Sequence, residues 1–259
     1  MTLSYGYVLN KNHYLPNGDE LDVGHTRTDT LGLTASYSPS DKWLLVAGVP
    51  YVSTRWMGEG HHGPEVDTGH TNHYWTDLRL EAHYQAMEFP VALAPYVAAV
   101  IPTNGYPYLG HSAPGRGLHE YWVGFFAGKS LDEWLPGTYM QLRYNYSFVE
   151  RVLDIGHDRT NLDVELGYFL SQDWALQLIG SWQWTHGGID VPVPANSPLF
   201  PHHDQLAAAE FLNLTGGAAW FVTKRAGLSL NYTQSLHGSN AHKVDRAINF
   251  SVDLQLGRH

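Results

Sequence analysis

The 259-residue sequence contains no cysteine, which excludes a disulfide framework and thiolate metal sites. Charge is scarce too. Only 15% of residues are Asp, Glu, Lys or Arg, against about a quarter in a soluble domain. The net charge of -10 comes without a basic stripe, so nothing in the chain suits a nucleic-acid partner. Long apolar runs are missing: FPVALAPYVAAVIP at 89–102 falls short of the ~20 residues a membrane-spanning helix needs, and Pro95 would break it. The opening MTLSYGYVLNKN has neither the basic start nor the apolar core of an export signal, so the chain reads as cytosolic or as a mature protein whose signal has been removed. No Pro/Ser-rich linker or charge block divides it, and residues 1–259 read as a single domain.

What is present is aromatic and alternating. The chain has 9 Trp, 16 Tyr and 9 Phe. In HYWTDLRLEAHYQ (73–85), Tyr74, Thr76, Leu78, Leu80, Ala82 and Tyr84 form a mostly apolar set, and His73, Trp75, Asp77, Arg79, Glu81, His83 and Gln85 a mostly ionisable one. A period of two predicts a strand with two unlike faces. The pattern recurs in MQLRYNYSF, NLDVELGYFL, WALQLIGSWQW, LSLNYTQS and INFSVDLQL. Helical periodicity wins nowhere over a comparable length.

Two kinds of connection separate these segments. Short ones such as SPSDK, AMEF, SQD and TKRAG alternate with long Gly-, His- and Pro-rich ones such as GEGHHGPEVDTGHTN, TNGYPYLGHSAPGRG and THGGIDVPVPANSPLFPHHDQ. That predicts an all-β fold: a single antiparallel up-and-down transmembrane β-barrel of about twelve strands, with short periplasmic turns and long extracellular loops, in a bacterial outer membrane. A soluble barrel or sandwich also alternates, but a soluble barrel of about eight strands fills its interior with side chains, and about twelve strands with inward Leu, Trp and Tyr sets would close poorly. Trp43, Trp75, Trp174, Trp182, Trp184 and Trp220 near strand ends fit interfacial girdles.

The chain resembles the outer-membrane protein family associated with a phenol meta-degradation pathway. The resemblance rests on SYSPSDKWLLVAGVPYV (36–52), TDLRLEAHYQ (76–85), FPVALAPYVAAVIPTNG (89–105) and LGYFLSQDWALQLIG (166–180). Members usually carry a Gly-Leu-Gly-Asp stretch before the strand that begins here at Asp77, where this sequence has HYWTD. The resemblance implies a barrel that passes small, often aromatic molecules.

Parity assigns the lumen: Asp77, Arg79, Glu81 and His83 on one strand, Arg143 on another, Asp163 and Glu165 on a third and Asp253 on the last. Acids outnumber fixed bases, so a field favouring neutral or cationic solutes is expected, although the same residues suit salt bridges across the wall. Histidines crowd the predicted loops, with His61, His62, His70 and His73 in one and His202 and His203 in another. Without fixed ligand spacing they read as solvated residues rather than a metal site, and no cofactor is implied. HGSN at 237–240 resembles the His-x-Ser-Asn of lipid-hydrolysing outer-membrane enzymes. Parity from Leu228, Leu230 and Tyr232 puts His237 and Ser239 on the lumen face, away from lipid, unless a bulge inverts the register. The expectation is therefore a non-enzymatic conduit for small, neutral or aromatic molecules, narrower than an open porin, whose partners are membrane lipids, solutes and the barrel-assembly machinery. A lipid-hydrolysing enzyme and a non-conducting structural or metal-binding barrel are the alternatives. The 188–207 loop, with its Pro run, is the one expected to fold inward.

Overall fold

A computed structural model describes residues 1–58 and 65–257, and the alternating segments are its strands. In chain order these are β1 (Thr2–Tyr14), β2 (Glu20–Ser40), β3 (Trp43–Met57), β4 (Asn72–Trp75), β5 (Asp77–Tyr84), β6 (Ala92–Pro102) and β7 (Glu120–Ser130). They continue with β8 (Thr138–Val149), β9 (His157–Phe169), β10 (Trp174–Gly187), β11 (Glu210–Thr223), β12 (Ala226–Ser239) and β13 (His242–Leu254). Pairing is antiparallel between neighbours, and β1 pairs with both β2 and β13, so the sheet closes on itself. β4 and β5 lie along the same partner, β3, and are separated only by Thr76. They make one stave, and the barrel has twelve.

The two ends differ. At one, β2–β3, β5–β6, β7–β8, β9–β10 and β11–β12 are joined by the short connections 41–42, 85–91, 131–137, 170–173 and 224–225. At the other, 58–71, 103–119 and 188–209 are long, the last holding a single 3-10 turn at Phe200–His202 that runs into α1 (His203–Leu206). This end is not uniformly long. β12 and β13 turn through Asn240 and Ala241 alone, with Asn240 at φ 51°, a left-handed conformation that Asn tolerates.

Polarity is inside out. Leu31 and Leu33 on β2, Val97 on β6, Tyr121 and Val123 on β7, and Leu176 and Leu178 on β10 are exposed on the outer face. Glu81, His83, Glu120, Asn145, Ser147, Arg159, Gln183 and Ser251 are buried. Trp43 and Tyr84 pack together at the short-turn end, as do the stacked Trp174 and Trp220, whose rings are 5.6 Å apart. Nearer the other end Tyr51 packs on Trp75, and Trp182 stacks on Trp184. Aromatic pairs thus stand at two levels around an apolar band.

Two bulges change the predicted parity. Tyr51 pairs with Trp75 and Gly48 with Arg79, so three residues, 76–78, face two, 49–50. The extra residue at buried Thr76 turns His73 and Trp75 to the outside, both exposed, while Asp77 stays within. The assignment of His73 and Trp75 to the ionisable lumen face is corrected accordingly. On β12, Leu212 pairs with His237 and Asn213 with Ser235, leaving Leu236 unpaired.

Candidate functional site

A chamber of about 680 Å³ occupies the barrel between the strands and the outer loops. Its charged lining is Asp77, Arg79, Arg143 and Asp163, four of the residues expected from parity, joined by Arg116, Glu120 and Arg159. Glu81 and His83 stand in the wall. The Glu81 carboxylate is 2.9 Å from Arg79 Nε, 3.4 Å from Arg143 Nη2 and 2.7 Å from His83 Nε2. His83 stacks on Tyr96, whose hydroxyl accepts a hydrogen bond from Arg143 Nε at 3.2 Å. The Arg143 guanidinium lies 5.4 Å from the Tyr96 ring centroid, 5.2 Å from Phe126 and 5.9 Å from Trp122, within cation–π range. Gly124 makes room for this stack, because a Cβ there would meet the Tyr144 carbonyl and the Tyr96 ring.

Below the chamber, Arg143 and Asp163 also border a cavity of about 260 Å³ that includes Glu165, and Gln141 links that cavity to a third, of about 790 Å³, at the short-turn end. Glu165 accepts a hydrogen bond from the Tyr139 hydroxyl at 2.7 Å. Asp253 does not join the others. It lies exposed near the rim, accepting from Thr2.

Sequence reasoning missed Arg116, Glu120 and Arg159. Parity would have found two of them, since Glu120 alternates with exposed Tyr121 and Val123, and Arg159 shares odd parity with Asp163 and Glu165. These two form an ion pair, and the Trp122 indole donates to Glu120 at 2.9 Å. Arg116 has no such signal, because it comes from the 103–119 loop. With it the chamber lining carries four guanidinium groups against three carboxylates, so the expected excess of acid is absent there. Tyr106, from the same loop, donates to Asp77 and accepts from the Gly117 N–H at 3.0 Å. Burial and the Asp77 carboxylate push its phenol well above the ordinary range, which keeps it a neutral donor.

At the outer mouth the 103–119 and 188–209 connections meet. Gln205 Nε2 donates to the Arg116 carbonyl at 2.6 Å, and Leu206 is fully buried. The 188–207 segment packs on the 103–119 connection, and the loop residues that line the chamber are Gly115 and Arg116. Where the loops meet, His111, His203 and His242 surround Asp204, and His13 packs edge-on against His242 with ring centroids 4.7 Å apart. Burial raises the Asp204 carboxyl, but the imidazoles of His111 and His242 beside it outweigh burial and hold the group well below the usual carboxylate range. Burial likewise lowers the His111 imidazole, and Asp204 more than compensates, so it ends raised.

No family model and no curated protein matches the sequence. Solved structures do match the fold. The COG4313 outer membrane channel from Pseudomonas putida F1 superposes with a TM-score of 0.70 at 16% identity, over 98% of this chain and 94% of that one. The barrel has the fold of an outer membrane channel. NanC porin gives 0.56 at 10% identity over 98% and 99% of the two chains, and KdgM porin, solved with disordered oligogalacturonate, gives 0.52 at 10% over 99% and 100%.

The loop histidines fall differently from expectation. His61 and His62 lie outside the described residues. His70 and His73 are exposed, His202 is hydrogen-bonded to Gln205 Oε1 at 2.8 Å, and His203 is buried rather than solvated. His13, His111 and His242 were invisible as a group because they sit on three separate elements. The HGSN segment also needs correction. The Leu236 bulge puts Leu236 and His237 both on the exposed outer side, and Ser239, paired with exposed Glu210, follows His237, so the lumen placement of both fails, and with it the argument from parity against an enzyme. A different observation bears on that chemistry: the Ser239 hydroxyl donates to the Pro16 carbonyl at 3.0 Å and is not oriented by His237.

Proposed function

We propose that the protein is an outer-membrane channel through which small solutes pass passively. The carrying observation is the succession of three cavities, the first two joined at Arg143 and Asp163 and the last two at Gln141, in a barrel whose outer face is apolar. Charges that would cost roughly 2–4 kcal/mol each in hydrocarbon at mid-depth are kept on the water-filled side. The resemblance to the phenol meta-degradation family and the shared fold with an outer membrane channel support the same reading. Membrane lipid, solute and the barrel-assembly machinery are the partners it requires.

Asp77, Arg79, Arg143 and Asp163, with Arg116, Glu120 and Arg159, are the groups a solute meets. Glu81, itself bonded to His83, holds two of those arginines in place, and Glu165 faces the solute lower down. Because most guanidinium groups are paired with carboxylates across short distances, the field alternates in sign, which suits neutral, dipolar or aromatic solutes more than simple ions. The decisive experiment is reconstitution. The expected result is solute uptake into liposomes, with small currents across planar bilayers. A protein that folds in lipid yet passes neither solutes nor current would rule the channel out in favour of a structural barrel.

A further inference from the structure

From the outer mouth we infer a second site: Asp204, with His111, His203 and His242 around it and His13 behind, binds one divalent transition-metal ion of the zinc class, and this ion ties the two mouth loops to the barrel rim. The donors come from four places. His111 belongs to the 103–119 connection, His203 and Asp204 to α1, His13 to the end of β1 and His242 to the start of β13. Two trios, His13–Asp204–His242 and His111–His203–Asp204, each have their donor atoms within 4.8 Å of one another, and Asp204 belongs to both.

The distances favour an ion over hydrogen bonds. Asp204 Oδ1 is 3.1 Å from His242 Nε2 and 3.5 Å from His203 Nε2, and Oδ2 is 3.5 Å from His111 Nδ1. A direct N–H···O bond is about 2.7–3.2 Å long, so two of these separations are too great for one. Tetrahedral zinc with bonds of about 2.0–2.1 Å places its donor atoms roughly 3.3–3.4 Å apart, a value bracketed by the 3.1 to 3.5 Å that separate the Asp204 oxygens from the three imidazoles. Ring orientation agrees. His203 Nδ1 lies 2.6 Å from the Phe200 carbonyl, and His13 Nδ1 lies 2.9 Å from the Tyr14 carbonyl, so each donates that N–H and turns the Nε2 lone pair inward, as metal-bound imidazoles do. Neutral imidazole with a carboxylate is a zinc, nickel or copper set, whereas calcium and magnesium want oxygen. A single ion is the charge-consistent count, since two dications on one buried carboxylate would leave most of their charge uncompensated. His242, the most exposed of the ring donors that face Asp204, gives the ion its way in.

The metal site stands without the channel; its role as a lock on the mouth rests on the channel reading. The test starts from full-length protein in detergent, stripped with a chelator and titrated with zinc chloride by calorimetry. One Zn²⁺ per chain is expected, with no competition from Mg²⁺ or Ca²⁺. Asp204→Asn and His242→Ala should each weaken binding by more than the ~10–100-fold that loss of a merely supporting group costs, while His70→Ala and His73→Ala, at exposed positions, should not change it. Folding is read from the gel mobility of unheated samples; if Asp204→Asn does not fold, His242→Ala at the rim decides the matter. Absence of zinc binding, or binding indifferent to these variants, overturns the site. In planar bilayers, removing zinc should raise the open fraction at least several-fold. Zinc binding with unchanged current leaves the site standing and overturns the lock. A zinc-binding barrel that never conducts overturns the lock and the channel together.

Discussion

Glu81 concentrates more of the wall's electrostatics than any other carboxylate on β5, because Arg79, Arg143 and His83 all converge on it. Glu81→Gln keeps the shape and removes the charge, leaving two guanidinium groups facing one another across a wet lumen. Breaking a dry buried pair costs about 3–5 kcal/mol, and partial hydration lowers the expectation to about 1–3 kcal/mol, readable in urea unfolding from lipid vesicles. A loss below a few tenths would mean that water replaces the carboxylate without penalty. Asp132, in the 131–137 turn, makes a prediction in pH. Its carboxyl is held below the ordinary value by hydrogen bonds from Ser130 and the Gly137 N–H. A depressed folded value means the contribution is complete above the unfolded pKa of about 3.9 and is lost as pH falls through the lower folded one. Protection of that turn from hydrogen exchange, relative to the intrinsic rate, should therefore fall below about pH 4, and Asp132→Ala, which has no acceptor, should lack it at every pH.

At the scale of the strand, facing is the quantity to test. Leu31 is exposed on β2 and its neighbour Thr30 lines the chamber. Leu31→Arg should impair assembly into vesicles by about 2–4 kcal/mol, and Thr30→Arg far less; equal defects would contradict the assigned faces. Because the chain has no cysteine, single cysteines report facing cleanly. Cysteine at Trp75 should react with membrane-partitioning maleimides, and cysteine at Arg79 only with small water-soluble reagents. The sequence made the strands, their number and most of their facing legible, since alternation is a local property. It could not show Thr76 or Leu236 as bulges: each adds one residue relative to a partner strand, and only the pairing reveals the surplus. The same holds for the mouth cluster. His13, His111, Asp204 and His242 span most of the chain, and no spacing rule joins them before the barrel closes.

For the molecule as a whole, the proposed channel should take its selectivity from the balance of chamber charge. Four guanidinium groups against three carboxylates predict weak ion preference. Asp163→Asn should move the reversal potential toward anions, and raising salt to 1 M, where the Debye length is about 3 Å, should shrink the shift. A wild-type pore with strong cation preference would show that charges elsewhere, nearer the rims, decide selectivity. Shortening the 188–209 connection should enlarge the current, since its buried α1 packs on the backbone of the Arg116 loop.

The alternation of faces also matters before there is a barrel at all. Within each stave the outward apolar side chains are separated by inward polar ones, so the unpaired chain has a mean hydropathy of only -0.28 and no segment that a lipid bilayer would capture as a helix. Nor does it contain a buried surface that can form piecemeal, because a lone strand or hairpin leaves its backbone groups unsatisfied in hydrocarbon. An extended chain of this kind can cross an aqueous compartment without arrest at the first membrane it meets. It commits to lipid only when enough neighbours pair at once, so insertion and folding are a single event.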